Sequence, residues 1–342
     1  MQGGKLIERT HPSQHYRTVF DQRTGFFVRK EDIGYPEPTW AFDGPELIDL
    51  SITNYCERGC TFCYRETKHK EALFMRLEDV EMVVRQAGEC GTMQIALGGG
   101  NPNQHPQFVD VLRLIREFEI IPSYTTNGDG LTDKVLQATS DYCGAMAVSV
   151  YPPYEEARYE ALLARINAYG IIVNLHAIIK SDTIDMWMHW LQSPPSFFKY
   201  LNAVIFLNYK PVRGLELSVD KSKIRRFFET VNNCRNMKIG FDSCSVSGIV
   251  QWMNTPSYLI ETCEAARFSA FVSEDLKMYP CSFMTSMGYC GDLRKYALLE
   301  IWQENDCFKK FRNDEQTGIC NECSHYKECK GGCRLFSEIN FC

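Results

Sequence analysis

Six short apolar runs separated by stretches of helical periodicity constrain this chain more than any other feature. The expected strands are Leu47–Ile52, Gln94–Leu97, Ile120–Thr125, Ala145–Tyr151, Ile171–Ile178 and Ala203–Asn208. Between them lie Leu77–Cys90, Pro106–Phe118, Thr132–Ser140, Glu155–Tyr169 and Asp182–Gln192. Apolar residues recur there at helical spacing, as in Leu77, Val80, Val83 and Val84, or Val109, Leu112 and Ile115. Strands alternating with helices imply a parallel sheet with helices outside it. A closed eight-unit barrel takes about 250 residues, whereas the repeats here occupy roughly 160. The expected fold class is therefore α/β, an open partial (β/α)6 TIM-like barrel. A doubly wound flavodoxin-like sheet is the alternative, but Gly98-Gly99-Gly100-Asn101 does not make the G-x-G-x-x-G turn of a phosphate loop.

The flanks of the repeat differ from it in kind. Residues 1–46 are irregular and polar, with Tyr16–Phe20 and Phe26–Arg29 placed to form a small hairpin. The expected organisation is this segment (1–46), the partial barrel (47–235) and a cysteine-rich domain (236–342). A net charge of −6 opposes a nucleic-acid backbone as the main partner, which needs clustered Lys and Arg. The basic run Lys221–Arg226 is short and reads as the solvated face of a helix. No signal peptide opens the sequence and no apolar stretch is long enough for a membrane span, so a cytoplasmic protein without a membrane partner is expected. Disulfides are rare in reducing compartments, so the 16 cysteines point to metal or catalysis.

Three of those cysteines follow the first strand in Cys56-Glu57-Arg58-Gly59-Cys60-Thr61-Phe62-Cys63. The C-x3-C-x2-C spacing lets one loop offer three thiolates to one face of a cubane. A [4Fe–4S] cluster normally takes four thiolates, one per iron, so three leave one iron open to chelate a substrate. A zinc knuckle or plain core thiols are the other readings. Zinc sites usually pair two C-x2-C units or add histidines, and the nearest histidine is His69.

The loop closely resembles that of the radical S-adenosylmethionine (SAM) enzymes. In that family the open iron holds the amino and carboxylate groups of SAM, and one electron cleaves SAM to a 5′-deoxyadenosyl radical that abstracts hydrogen. The resemblance implies further contacts. Gly99-Gly100-Asn101-Pro102 stands where many members carry G-G-E-P against the SAM amino group; the Asn101 carbonyl can still accept a hydrogen bond but lacks the charge. Phe62 matches an aromatic beside the adenine, and Ser149 a serine reaching the ribose. Thr126-Asn127-Gly128 and Pro211-Val212-Arg213-Gly214 resemble family segments at strand ends. Each of these positions could equally serve a turn or the packing.

The C-terminal cysteines, Cys320-x2-Cys323-x5-Cys329-x3-Cys333 and then Cys342, join Cys263 and Cys281 in a pattern similar to the SPASM extension of radical SAM peptide maturases. Gly291-Asp292-Leu293 and Glu300-Ile301-Trp302 agree with it. Leu276 departs from it, because the family usually has glycine there. The resemblance implies two auxiliary [4Fe–4S] clusters, three clusters in all. Cys320, Cys323, Cys329 and Cys342 would hold the distal one, and Cys263, Cys281 and Cys333 the proximal one. Cys244 is the first candidate for its fourth ligand, with an open iron as the rival. Cys90, Cys143 and Cys234 read as core thiols, while Cys290 and Cys307 are unassigned. A structural zinc ribbon is the alternative.

The activity implied is that of a peptide maturase, forming a cross-link or otherwise functionalising a C–H bond in a ribosomally made peptide. An electron donor of flavodoxin or ferredoxin type would serve it, and a separate leader-binding protein is a further candidate partner. Sulfatase maturation fits less well, because Ser282 stands where those enzymes carry an aspartate base. A radical SAM enzyme acting on a small molecule, a haem precursor or a carbohydrate, is the second reading. A non-enzymatic, metal-stabilised binding protein is the third. Glu155, Glu156 and His176 lie near strand ends, but none is assigned as a catalytic base.

Overall fold

The computed structural model describes residues 6–22, 25–65, 71–151, 154–211, 219–285, 288, 291–313, 320 and 322–341. Arg213, Cys290, Cys342 and the Arg23-Thr24 tip of the expected hairpin lie outside the described residues. The chain divides into two compact units, 1–146 with 265–313 and 147–264 with 314–342.

In the first unit, Leu47–Thr53, Gln94–Gly99 and Ile121–Thr126 run parallel, with Ile48 opposite Ile95 and Leu97 opposite Tyr124. Their apolar side chains are buried, Ile48, Leu50, Ile52 and Ile95 having no exposed surface, as expected for strands of a covered parallel sheet. Helices Leu77–Glu89 and Phe108–Glu117 supply apolar stripes, Val80, Val83, Val84 and Ala87 in one and Phe108, Val111, Leu112 and Ile115 in the other. Helix Asp133–Tyr142 begins at Thr132, whose hydroxyl accepts from the Val135 N–H.

Two features of this unit were not evident from the repeat. Ser269–Val272 pairs in parallel with the first repeat strand, Ser269 opposite Leu47, and then folds back antiparallel through Lys277–Tyr279 to Gly291–Asp292. The sheet is thus extended by residues far along the chain. The N-terminal hairpin is present, with Tyr16–Asp21 against Phe27–Glu31, and Leu6–His11 adds a third antiparallel strand. That strand is largely exposed, so its sequence shows little apolar alternation.

In the second unit, Val173–Ile179, Ala203–Asn208 and Ile239–Phe241 run parallel, with Leu175 opposite Val204 and Gly240 opposite Ile205. Ala145–Ser149 leads into this unit, two residues shorter than its sequence run. Helix Lys221–Asn233 starts at Asp220, whose carboxylate accepts from the Ser222 and Lys223 N–H groups. It buries Ile224, Phe227, Phe228 and Val231, leaving Lys221, Arg225 and Arg226 on its exposed side. The α/β class with parallel strands, expected from the sequence as a partial barrel with a cysteine-rich C-terminal extension, is the fold of the chain. Among the described residues, no helix is long and apolar enough to cross a membrane.

Candidate metal centres

The cysteine loop leaves the C-terminal end of the first repeat strand and is pinned at its base by backbone contacts. Thr53 Oγ1 accepts from the Tyr55 N–H at 3.0 Å and donates to the Leu73 carbonyl at 2.7 Å. The Gly100 N–H donates to Thr53 O and the Asn101 N–H to Tyr55 O, both at 2.7 Å. These bonds explain the glycines. A Cβ on Gly99 would collide with the Thr53 carbonyl and one on Gly100 with the Tyr55 carbonyl, so only glycine lets the second strand's end lie against the loop. Within the loop, Gly59 sits at φ +56°, and Cys63 N–H closes a turn onto Cys60 O at 3.1 Å.

Cys56, Cys60 and Cys63 are all half-buried. Burial pushes the Cys60 thiol above its ordinary pKa, and the nearby Cys63 and Cys56 sulfurs push it further, so the three lie close enough to repel one another as thiolates. A cluster relieves that repulsion by giving each sulfur its own iron. Among the described residues, no group of three or more His, Cys, Asp or Glu is arranged around a single ion. The donor set of this loop fits a cubane face.

Asn101 is the hub beside the loop and is 2% exposed. Its oxygen accepts from Thr126 Oγ1 at 3.0 Å and from the Asn127 N–H at 3.2 Å, and its Nδ2 donates to Asp129 O at 2.9 Å. Both carbonyl lone pairs are therefore used within the protein. Asn127 in turn donates to Cys56 Sγ at 3.6 Å, and Arg58 Nε donates to Asp129 Oδ2 at 3.2 Å. The sequence offered Thr126 and Asn127 as strand-end residues; the clasp of Arg58 on Asp129 carried no sequence signal. Phe62 is half-buried in the same loop. Ser149 is buried at its strand end in the second unit, where its carbonyl accepts from Tyr159 Oη at 3.5 Å.

A second buried polar group also escaped the sequence reading. Arg65, just past the loop, donates to Glu274 Oε2 at 2.5 Å, and Ser51 Oγ donates to the same oxygen at 2.6 Å. Cys281 lies in this unit, immediately before the short turn Ser282–Met284.

In the second unit the structure brings Cys244, Cys263 and Cys333 together. The Cys244 thiol donates to the Cys333 sulfur, which holds Cys333 below and Cys244 above the ordinary thiol pKa. Cys263 is near enough for its charge to oppose ionisation of Cys333. Asn340 fixes the Cys333 backbone, accepting its N–H at 2.8 Å and donating to its carbonyl at 3.2 Å. The tail is anchored by Phe341, whose N–H donates to Ser247 Oγ at 2.9 Å and whose ring packs on Phe228 and Trp252. Cys320, Cys323 and Cys329 follow one another through turns, with Cys323 N–H onto Cys320 O at 3.3 Å and Cys329 N–H onto His325 O at 2.9 Å.

The remaining sequence candidates have their own surroundings. Burial pushes the Cys90 thiol up to about 11 and raises Cys143 further. Burial also lowers His176 to about 4, against the opposing charge of Asp242. Glu155 precedes helix Glu156–Ala168 without capping it, and Glu156 accepts from Ser196.

Known proteins match both regions. A family model described as the radical SAM superfamily matches residues 50–189, and one described as the SPASM iron-sulfur cluster-binding domain matches residues 263–324. GTP 3′,8-cyclase of Cronobacter sakazakii is 26% identical over 181 residues, 46% of this chain and 54% of that protein. The enzyme of that name from Pectobacterium atrosepticum is 36% identical over 109 residues, 30% of this chain and 33% of its own. The chain thus spans about half, or less, of the length of these curated relatives. Among solved structures, Streptococcus suis SuiB bound to S-adenosylmethionine aligns with a TM-score of 0.75 at 14% identity, covering 98% of this chain and 95% of that one. SuiB bound to precursor peptide SuiA gives 0.71 at 17% identity over 86% and 72%. The protein anSMEcpe, with AdoMet and the Kp18Cys peptide, gives 0.64 at 18% identity over 84% and 89%. At these identities the likeness is one of fold.

Proposed function

The chain is an enzyme of the radical SAM superfamily with a SPASM extension, and on that premise we propose that it modifies a ribosomally made peptide, forming a cross-link or otherwise functionalising a C–H bond. Its cofactors are SAM and [4Fe–4S] clusters. The non-enzymatic reading falls with that membership.

Cys56, Cys60 and Cys63 are the proposed ligands of the SAM-binding cluster. When bound, this cluster and SAM supply the 5′-deoxyadenosyl radical that abstracts a substrate hydrogen. The protein's part is to hold the thiolates in place. Gly99 and Gly100 admit the loop's backbone, Asn127 donates to Cys56 and orients that sulfur, and Arg58 closes the loop onto Asp129. Phe62, Gly99, Gly100, Asn101 and Ser149 are the proposed SAM contacts. Asn101 sits in the cofactor-contacting segment, and its amide serves to carry Asn127 to Cys56. Cys263, Cys281 and Cys333 are the proposed proximal-cluster ligands, with Cys244 the candidate fourth, and Cys320, Cys323, Cys329 and Cys342 the proposed distal ones. A cytoplasmic location and a small redox-protein electron donor go with this chemistry.

The observation that carries the peptide reading is the likeness of fold, over nearly the whole chain, to SuiB, a protein also solved with its precursor peptide. The curated sequence relatives favour a second reading, in which a small molecule is the substrate, since they are GTP 3′,8-cyclases. Both predict SAM cleavage, so the substrate decides. Reduced, cluster-loaded enzyme is given SAM with either GTP or pools of synthetic peptides, and 5′-deoxyadenosine is measured with product mass. A peptide lighter by two hydrogens supports maturase activity. A GTP-derived product would overturn it.

A further inference from the structure

The entry to the cysteine loop is pinned by Thr53 and the glycines of the second strand, and its exit is held by a different device. Arg65, two residues past Cys63, has a side chain only 7% exposed, and that of its partner Glu274 is 9% exposed. One carboxylate oxygen, Glu274 Oε2, accepts from Arg65 Nη2 at 2.5 Å and from Ser51 Oγ at 2.6 Å. The Arg65 guanidinium also lies over the Phe271 ring, 5.1 Å from its centre. Tyr64 packs on Phe283 with ring centres 4.4 Å apart. Both residues that follow Cys63 are thus fastened to the segment 271–283.

The acceptor is itself held in place. Glu274 sits in the turn that joins Ser269–Val272 to Lys277–Tyr279. There the Ser273 N–H donates to Lys277 O at 2.8 Å, the Leu276 N–H donates to Ser273 O at 2.9 Å, and the Lys277 N–H donates to Ser273 Oγ at 3.2 Å. Ser51, the second donor, belongs to the first repeat strand and has no exposed surface. Strand and turn together leave the guanidinium one docking position.

The pair is a weak source of stability. Taking two charges out of water costs much of what their attraction returns. Arg65 Nε is also buried without a hydrogen-bond partner among the described residues, which is a further cost. Two apolar side chains could hold the chain as firmly. They would not fix its direction, because apolar contact is non-directional, whereas a carboxylate shared by two donors is satisfied in one arrangement.

We propose that Arg65 is a positioning residue for the SAM-binding cluster: anchored on Glu274, it holds the exit of the loop so that Cys63 stands in its ligating position before iron arrives. The inference rests on Cys56, Cys60 and Cys63 being the ligands of that cluster. The role requires no contact of Arg65 with iron or substrate. It acts through the short link to Cys63.

The test replaces the ion pair by an apolar pair in the full-length chain, Arg65→Leu together with Glu274→Leu, an exchange that buried ion pairs often tolerate without loss of stability. The urea midpoint of the apo protein should hold or rise. Alkylation of apo protein by iodoacetamide, mapped by mass spectrometry, should become about tenfold faster at Cys63. It should change little at Cys56, whose side of the loop is tied by Thr53 and Asn127. In loaded enzyme, the cluster whose electron paramagnetic resonance signal responds to added SAM should release iron to a chelator about tenfold faster. Equal acceleration at the two cysteines, acceleration at neither, or unchanged iron release overturns the proposal. Should the double variant fail to fold, Glu274→Gln decides. Selective acceleration at Cys63 there supports the positioning role; equal or absent acceleration, or a second failure to fold, overturns it. Cys60→Ala separates this inference from the reading beneath it. If iron and 5′-deoxyadenosine formation survive that change, the ligand assignment itself fails. If both are lost there while the double variant leaves Cys63 as slow as in the wild type, the assignment stands and only the role of Arg65 falls.

Discussion

The two cysteine groups of this chain are built on opposite principles. Cys56, Cys60 and Cys63 come from one loop, and their spacing is set by the loop's own turns, Gly59 at φ +56° and the Cys63-to-Cys60 backbone bond. Cys244, Cys263 and Cys333 come from separate segments, and the buried Asn208 amide ties the backbone carrying Cys244 to that of Ile339, six residues past Cys333. The first group should thus be separable from folding: its thiols can be removed while the scaffold stands. In the second, the scaffold and the site are held by the same bonds.

The sharpest separation is Cys60→Ala. Formation of 5′-deoxyadenosine should vanish, and about four irons should be lost per chain, one cluster's worth. The apo protein should unfold within about 0.5 kcal/mol of the wild type, because the residue lies in a half-exposed loop without a folding role. Loss of all iron, or a large loss of apo stability, would erase the contrast between the two groups.

Asn208→Leu probes the other side. The replacement is close in size but leaves the buried Cys244 and Ile339 carbonyls without their donor. An unsatisfied buried group costs about 1–3 kcal/mol, so a loss of roughly 2–4 kcal/mol is expected in urea unfolding of the apo protein. Iron held by the second unit should fall while the loop of the first unit still loads. An apo stability unchanged by the substitution would mean that the cysteines of the second unit meet without that tie.

These contrasts also decide what could be read from the sequence. Strand and helix order was legible because burial of the sheet demands strongly apolar strands, as in Leu47–Ile52, where Ile48, Leu50 and Ile52 are buried, and in the continuous apolar run Ala203–Leu207. The cysteine loop was legible because its chemistry dictates a local spacing. Partners far apart in sequence were not. Nothing near Asn101 announces that Thr126, Asn127 and Asp129 will occupy its amide, and nothing near Asn208 announces the Cys244 and Ile339 carbonyls. The parallel pairing of Ser269–Val272 with Leu47–Thr53 was hidden for the same reason. Leu276 is an intermediate case. The sequence marked it as standing where a glycine is usual, and the structure gives the cause, a left-handed φ of +64°. That backbone costs a leucine about 1–2 kcal/mol, offset here by burial of the side chain, which is 2% exposed.

Acid should separate the two halves further. An ordinary imidazole titrates near 6.5, but burial lowers His176 in the second unit to about 4. The unfolded chain therefore binds a proton that the folded chain refuses. His176 contributes its full stability above about pH 6.5 and loses it progressively as pH falls towards 4. At pH 5 the loss relative to pH 7 is about 2 kcal/mol. Urea titrations of apo protein at the two pH values should show it, and His176→Gln should remove most of the difference. An equal pH dependence in that variant would place the acid sensitivity elsewhere.

The smallest effect belongs to the clasp on the cysteine loop. Arg58 and Asp129 are 20% and 28% exposed, so their ion pair is partly solvated and screened by salt. Arg58→Ala should cost the apo protein only about 0.5–1 kcal/mol, a difference that shrinks in high salt. The clasp lies between the first two loop cysteines and binds the segment whose Asn127 donates to Cys56. Its removal should therefore show less in unfolding than in how long the loop retains iron against a chelator. Asp129→Asn, which keeps the shape and removes the charge, should release iron at a rate between those of the wild type and Arg58→Ala. If Arg58→Ala instead destabilises the apo fold as much as Asn208→Leu, the loop is as deeply tied into its scaffold as the cysteines of the second unit.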